Sequence, residues 1–293
     1  MSISHLLLWL TAVIWGFAFV AQSAGMDYLG PHSFNAARFV LATLSLLPLM
    51  YFFKTKSTYS IKSLWLGGLA AGSFMFFGFS FQQSGLLYTT AGNAGFITSM
   101  YIVFVPIVGL MLGHATSRQT WVGVILALIG LYSLTVGPNL TINYGDGLEL
   151  IGTAFWTLHV LTIANLSRRL PAIPLSIVQF SVASIWAIGA TLLFETPTLA
   201  DFSAAWFPLL YAGVASSSIA CTLQILGQKN VTPSISALIL SSEAVFAVLG
   251  GWLLMGEVMS MGAYIGCGFI LTGMLVSQWP VSNKKTIEVS LAP

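Results

Sequence analysis

A chain of 293 residues that is 57% hydrophobic and only 6% charged, with a mean hydropathy of +0.89, cannot solvate itself as an ordinary globule, in which about a quarter of the residues are charged. Eight acids against ten bases give a formal net charge of +2, no electrostatic footprint for nucleic acid. The two cysteines, Cys221 and Cys267, both lie in apolar stretches, which excludes a disulfide framework and a CxxC metal site. The chain reads as a membrane protein, with the lipid bilayer as its first partner.

Windows of about 20 residues predict ten helices, near 4–24, 32–53, 63–83, 91–113, 119–137, 147–167, 173–194, 205–227, 233–256 and 260–279. The first, within MSISHLLLWLTAVIWGFAFVAQSA, lacks the positive n-region of a secretory signal and is expected to remain as a span. It carries Trp15, an amphipathic ring suited to a cavity wall. The second carries Arg38, about six residues in and so roughly 9 Å below the outer edge. Arg38 is a candidate contact for a substrate carboxylate, or a cap on an outer vestibule. The fourth holds Asn93, Ser99, Tyr101 and the small-residue pair Gly109/Gly113, a spacing that lets helices approach closely or slide; Gly68/Gly72 repeats it in the third.

In the sixth helix Trp156 and His159 stand three residues apart, on one face. His159 is either a proton relay or an interhelical contact. Gln179 in the seventh, and Gln224 and Gln228 in the eighth, each demand a hydrogen-bond partner in hydrocarbon. The ninth contains LSSEAVFAVLGG, with one carboxylate, Glu243, near the midplane. A charge there costs at least about 2.5 to 3.5 kcal/mol. Glu243 therefore either faces a pathway, where it meets a cation or a proton, or is a structural carboxylate helped by Ser241 and Ser242. Arg38 and Glu243 are the two permanent charges expected well inside the spans. The tenth helix has the pair Gly262/Gly266.

With both termini cytoplasmic, the inner loops and tail collect Lys54, Lys56, Lys62, Arg118, Arg168, Arg169, Lys229, Lys284 and Lys285, nine of the ten bases. The outer loops collect Asp27, Asp146, Glu149, Glu195, Asp201 and Glu257 instead. This alternation satisfies the positive-inside rule and supports the count of ten.

The chain also repeats itself at an offset of about 141 to 143 residues. Gly113 falls on Gly256, Gly123 on Gly266 and Gly130 on Gly273; Trp15 falls on Trp156, Arg38 on Gln179 and Phe39 on Phe180. On this alignment Glu243 falls on Met100. The expected division is 1–140, helices one to five; 141–280, helices six to ten; and a short cytoplasmic tail, 281–293. Five helices per half is an odd number, so the second half enters inverted, the build of secondary transporters.

LLLWLTAVIWGFAFVAQSA, GPHSFNAARFVLA, TAGNAGFITSMYIVFVPIVGLMLG and SSEAVFAVLGGWLLMGEVMSMGAYIGCGFILTG resemble the EamA family of the drug/metabolite transporter superfamily over nearly the whole chain. The most specific part is the small-residue ninth helix ending in Gly256-Glu257, followed by a glycine-rich tenth. The resemblance implies an all-α bundle of ten helices as two inverted five-helix repeats around a central cavity, exporting amino acids, their derivatives or other small metabolites across a bacterial inner membrane. Two departures stand out: Gly113-His114 where the family often has Gly-Glu, and Glu243-Ala244 where it often has Glu-Pro. Losing that proline is expected to leave the ninth helix straighter.

The leading function is a secondary-active exporter of a small, amphipathic or aromatic metabolite, with protons as an open second partner. A channel-like uniporter and an importer are the alternatives. A membrane-embedded enzyme is disfavoured because no HExxH, GxSxG or clustered Asp or Cys pattern appears, and a primary pump because no GxxxxGK[ST] loop exists. No cofactor and no metal are expected, and the assembly is expected to be a monomer or homodimer.

Overall fold

The computed structural model describes residues 2–52, 59–135 and 143–277. The expected tail 281–293 and the bases Lys54, Lys56, Lys284 and Lys285 lie outside the described residues. Every element among the described residues is helical. In hydrocarbon no water satisfies the backbone, so each apolar run must close its own hydrogen bonds.

Eight stretches are long and apolar enough to cross a membrane. Five are single helices: α1 (Ile3–Gly25), α2 (Pro31–Phe52), α3 (Ile61–Gly85), α7 (Tyr144–Leu166) and α8 (Ala172–Phe194). Three are composite. Ala91–Met111 consists of α4 (Ala91–Ser99) and α5 (Tyr101–Met111). Trp206–Gln228 consists of α10 (Trp206–Leu210), a π-helical segment (Tyr211–Ala220) and α11 (Cys221–Gln228), and follows a short helix, α9 (Leu199–Ala204). Pro233–Met255 consists of α12 (Pro233–Leu240) and α13 (Glu243–Met255). Two helices are shorter or less apolar, α6 (Arg118–Thr135, 18 residues) and α14 (Met261–Ser277, 17 residues).

Local chemistry sets the helix ends. Ser2, Ser60, Thr90, Asn143 and Thr198 accept a backbone N–H from the first turn of α1, α3, α4, α7 and α9, each satisfying one orphan donor. Pro233 opens α12 at its first position, where a missing N–H costs nothing. Gly113 and Gly256 take φ of +82° and +70° just past α5 and α13, the left-handed turn that glycine makes without strain.

The closest helix pairings, α6 with α14, α2 with α8, α3 with α7 and α8, and α1 with α13, each join a helix from the first half of the chain to one from the second. The halves interlock. Between α6 and α14 the approach is backbone to backbone: a Cβ on Gly123 would lie 2.6 Å from the Gly273 carbonyl, one on Gly130 2.6 Å from the Gly266 carbonyl, and one on Gly262 2.6 Å from the Ser133 carbonyl. Rings from both halves fill the centre, including Phe39, Phe79, Tyr101 and Phe180, while Trp65, Leu192, Leu193, Phe194 and Trp206 stand on the periphery.

Two sequence expectations change here. The ninth helix is not straighter for lacking its proline. It tightens at Ser241 and Ser242, whose hydroxyls donate to the Leu238 and Ile239 carbonyls, and the Ser242, Ala244 and Val245 N–H groups each donate to the carbonyl three residues back. A matching tight turn at Met100 separates α4 from α5. Such short 3₁₀ turns inside a helix are frequent hinge points. Glu149 is also no loop acid: the Asn143/Asp146 capping box starts α7 at Tyr144, which places Glu149 about five residues, or roughly 7 Å, along the helix and fully buried.

Candidate substrate cavity

The tight turns of α4–α5 and α12–α13 bring Tyr101 and Glu243 to the middle of the bundle. Tyr101 Oη donates to Glu243 Oε1 at 3.0 Å, and Ser99 Oγ donates to the Ser241 carbonyl at 3.1 Å. Tyr101 thus stands 142 residues before the carboxylate it touches, one register step from Met100. Glu243 and Tyr101 line a central cavity together with Trp15, Phe19, Phe79 and Trp156. It is narrow, with room for water but not for a metabolite between the rings. Trp15 and Trp156 meet with centroids 6.0 Å apart. The Trp15 indole N–H donates to the Ser216 carbonyl at 3.0 Å, whereas the buried Trp156 N–H has no acceptor.

Arg38 lies behind another side of the cavity. Its Nη1 donates to Gln22 Oε1 at 2.7 Å, its Nε to Ser217 Oγ and its Nη2 to Ser216 Oγ, both at 3.2 Å. Its guanidinium carbon lies 3.9 Å from the Phe79 ring centroid. Gln22 and Ser216 also line the cavity. The π-helical winding of Tyr211–Ala220 presents both Ser216 and Ser217 to the guanidinium. Each partner of Arg38 is neutral, and the side chain is fully buried. A ring contact of about 0.5 to 2 kcal/mol and three bonds of about 0.6 to 2 kcal/mol each offset an insertion cost of at least about 2.5 to 3.5 kcal/mol. The positive charge itself stays uncompensated by any carboxylate among the described residues. Arg38 and Glu243 do not pair.

The other candidates fall into distinct places. His159 and Gln179 bond to each other, Nε2 to Oε1 at 3.2 Å, behind Trp156, whose ring meets His159 edge-on at 5.6 Å. Gln224 is fully buried with neither amide atom bonded, and it does not line the cavity. Asn93 lies in the first turn of α4, partly exposed, its backbone N–H donating to Thr90 Oγ1. Among the glycines, Gly262 and Gly266 sit at the α6–α14 contact. Gly109 makes only ordinary contacts, and Gly113 has nothing within 4 Å of its Cβ position; the latter serves the turn after α5.

Sequence reading missed Gln22, Ser216, Ser217, Gln82 and Thr98, neutral groups that look like any intramembrane polar residue. It also missed Glu149, whose Oε2 accepts from Thr98 Oγ1 at 3.2 Å, while Gln82 Nε2 donates to that same Thr98 oxygen at 3.0 Å. The Asn143-x-x-Asp146 spacing was the available signal.

Membrane-crossing helices around a narrow central cavity lined by aromatic rings and a buried carboxyl define a multi-pass membrane protein. The chain belongs to the EamA-like transporter family, whose model matches residues 2–136 and again residues 143–278. It is 32% identical to an uncharacterized transporter of Archaeoglobus fulgidus over 91% of this chain and 83% of that one. It is 21% identical to the uncharacterized transporter YoaV of Bacillus subtilis, over 93% and 96% of the two chains. It is 23% identical to the uncharacterized inner membrane transporter YedA of Escherichia coli K12, over 90% and 87%. A solved crystal structure superposes with a TM-score of 0.79 over 95% of this chain and 99% of that one, at 15% identity, a shared fold. The protein is a multi-pass membrane transporter of this family.

Proposed function

We propose that the protein is a secondary-active exporter of small zwitterions, amino acids or their derivatives with apolar or aromatic side chains, held between Arg38 and Glu243. The observation that carries this reading is a buried acid, Glu243, on the cavity and a buried base, Arg38, one residue behind its wall through Gln22 and Ser216, each bonded only to neutral partners. Arg38 meets the substrate carboxylate, Glu243 its ammonium, and the Trp15, Trp156 and Tyr101 rings its side chain. His159 and Gln179 brace Trp156 from behind, and Gln224, whose buried amide is unbonded, is a further candidate contact for the substrate. Asn93 guards its outer end.

Alternating access between two inverted five-helix repeats, 1–140 and 141–280, fits the contacts. Trp15 meets Trp156, Phe39 meets Phe180 and Ser99 meets Ser241, each residue touching the one about 141 or 142 positions on. Gly123 against Gly273 and Gly130 against Gly266 exchange under a shift of 143. An inverting two-fold axis maps such contacts onto themselves or onto each other. On this reading α6 and α14 complete ten spans, Gly262 and Gly266 mark the small-residue surface along which helices shift, and both termini are cytoplasmic in a bacterial inner membrane. The transported partners are the substrate and protons, and one chain, alone or as a homodimer, suffices.

Counterflow tests it. Proteoliposomes preloaded with an unlabelled mixture of the proteinogenic amino acids are expected to take up the radiolabelled mixture several-fold faster than empty ones. Equal rates would leave a channel-like uniporter or an unrelated substrate class, and everted vesicles decide between export and import.

A further inference from the structure

The central cavity has a second carboxylate behind its wall. Glu149 is fully buried on α7, its Oε2 accepts from Thr98 Oγ1, and its Oε1 has no partner at all. Gly85, at the outer end of α3, leaves the space beside Oε1: a Cβ there would come within 2.9 Å of it. α3 and α4 turn only neutral groups toward this carboxyl, Gln82 and Thr98. The titratable groups near it are Asp146, one turn nearer the outer face on the same helix, and Glu243 on α13. No cation among the described residues forms an ion pair with it.

The three carboxyls descend in order. Asp146 is partly exposed at the start of α7, where Thr89 Oγ1 donates to it at 3.0 Å. Glu149 lies about one turn deeper, and Glu243 near the midplane. Thr98 and Tyr101, which hold Glu149 and Glu243 respectively, are three residues apart on either side of the tight turn at Met100. Thr98 and Gln82 line the cavity, so Glu149 is one hydroxyl removed from the space that Glu243 faces. A buried carboxyl with an unbonded oxygen and no neighbouring cation is a costly ornament unless a proton joins it.

We infer that Glu149 is a second proton-carrying carboxyl of the pathway, lying between the outer face and the cavity. This rests on the transporter reading above. Glu149 takes a proton from the outer side past Asp146. When the substrate ammonium leaves Glu243, the proton passes through the cavity to the Glu243 carboxylate: Glu149 becomes the carboxylate, Glu243 the acid, and the summed charge is unchanged. The next outer proton restores Glu149, and Glu243 gives its proton to the inner side before the next substrate ammonium binds its carboxylate. The turn at Met100, between the two hydrogen-bond donors, lets a movement of α5 against α4 set when the transfer is possible.

The test uses the full chain in proteoliposomes and infrared difference spectra of the carboxyl stretching region between about pH 5 and 9. Wild type is expected to show bands from two enclosed carboxyls, Glu149→Gln to lose one and Glu243→Gln the other. Accumulation of the radiolabelled amino-acid mixture driven by a pH gradient is expected to fall roughly tenfold or more in Glu149→Gln and to recover in part in Glu149→Asp, with far-UV circular dichroism confirming folded protein. An unchanged spectrum in Glu149→Gln overturns the inference, as does a lost band with undiminished accumulation. If wild type itself moves no amino acid, the zwitterion reading fails instead, while the spectra still decide whether Glu149 carries a proton.

Discussion

Arg38 and Glu243 are held in one bundle by different devices. The guanidinium spreads its charge over an amide, two hydroxyls and a phenyl face, whereas the carboxylate keeps one phenol. Neither is matched by an opposite charge among the described residues. Outside the spans, carboxylates do simpler work: Glu195 accepts the His32 and Ser33 N–H groups at the start of α2, and Asp201 accepts the Thr198 N–H and hydroxyl at the start of α9. Those bonds hold the exposed Asp201 carboxyl below its ordinary value. A folded value below the unfolded one means that the cap is fully present above the unfolded value and lost as pH falls through the folded one. Hydrogen exchange over 199–205 should therefore accelerate on acidification below about pH 4, and Asp201→Asn should exchange at its faster rate across the neutral range. Arg38, Glu243, Trp15, Trp156 and Tyr101 were legible in the sequence because charges and amphipathic rings stand out in apolar runs. Glu149 was not, because window-averaged hydropathy started its helix three residues late and left it among loop acids; the capping spacing carried the information that the average erased.

At the scale of elements, the breaks at Met100 and Ser241–Ser242 and the π-helical segment stand beside the cavity residues Tyr101, Glu243 and Ser216. Neither the tight turn at Ser241–Ser242 nor the one at Met100 contains proline or glycine, and the π-helical segment was announced only by a run of serines. Periodicity registers an apolar helix but not its winding, so these breaks stayed invisible. Glycines, by contrast, announce themselves without saying which job they do. Gly130 faces the backbone of α14 and Gly113 faces nothing, although both recur in the repeat. Gly130→Ala should cost more than Gly113→Ala: the first forces backbones apart, about 1 to 3 kcal/mol for an overpacked contact, and the second strains only one left-handed residue, about 1 kcal/mol. Scanning fluorimetry of the purified variants should order their melting temperatures accordingly, and the reverse order would contradict the assignment of Gly130 to packing and Gly113 to the turn.

For the whole molecule, hydropathy gave the run of apolar helices and the internal repeat gave a reason for their number, but neither gave the pairing. The interlocking of α1 with α13 and α2 with α8 depends on contacts between distant segments that no local pattern encodes. That interlocking puts Glu243, from the second half, on the cavity and Arg38, from the first, directly behind its wall at Gln22 and Ser216. The most direct test of this account compares competition by three unlabelled ligands in the counterflow assay: L-phenylalanine, phenethylamine, which lacks the carboxylate, and 3-phenylpropionate, which lacks the amine. Wild type should be inhibited by phenylalanine at concentrations about 10 to 100 times lower than by either analogue, the worth of one charged hydrogen bond of about 1.5 to 3 kcal/mol. Arg38→Gln should erase the advantage over phenethylamine, and Glu243→Gln that over 3-phenylpropionate. Equal inhibition by all three in wild type, or the same preference in both variants, would contradict a cavity that holds a zwitterion between Arg38 and Glu243.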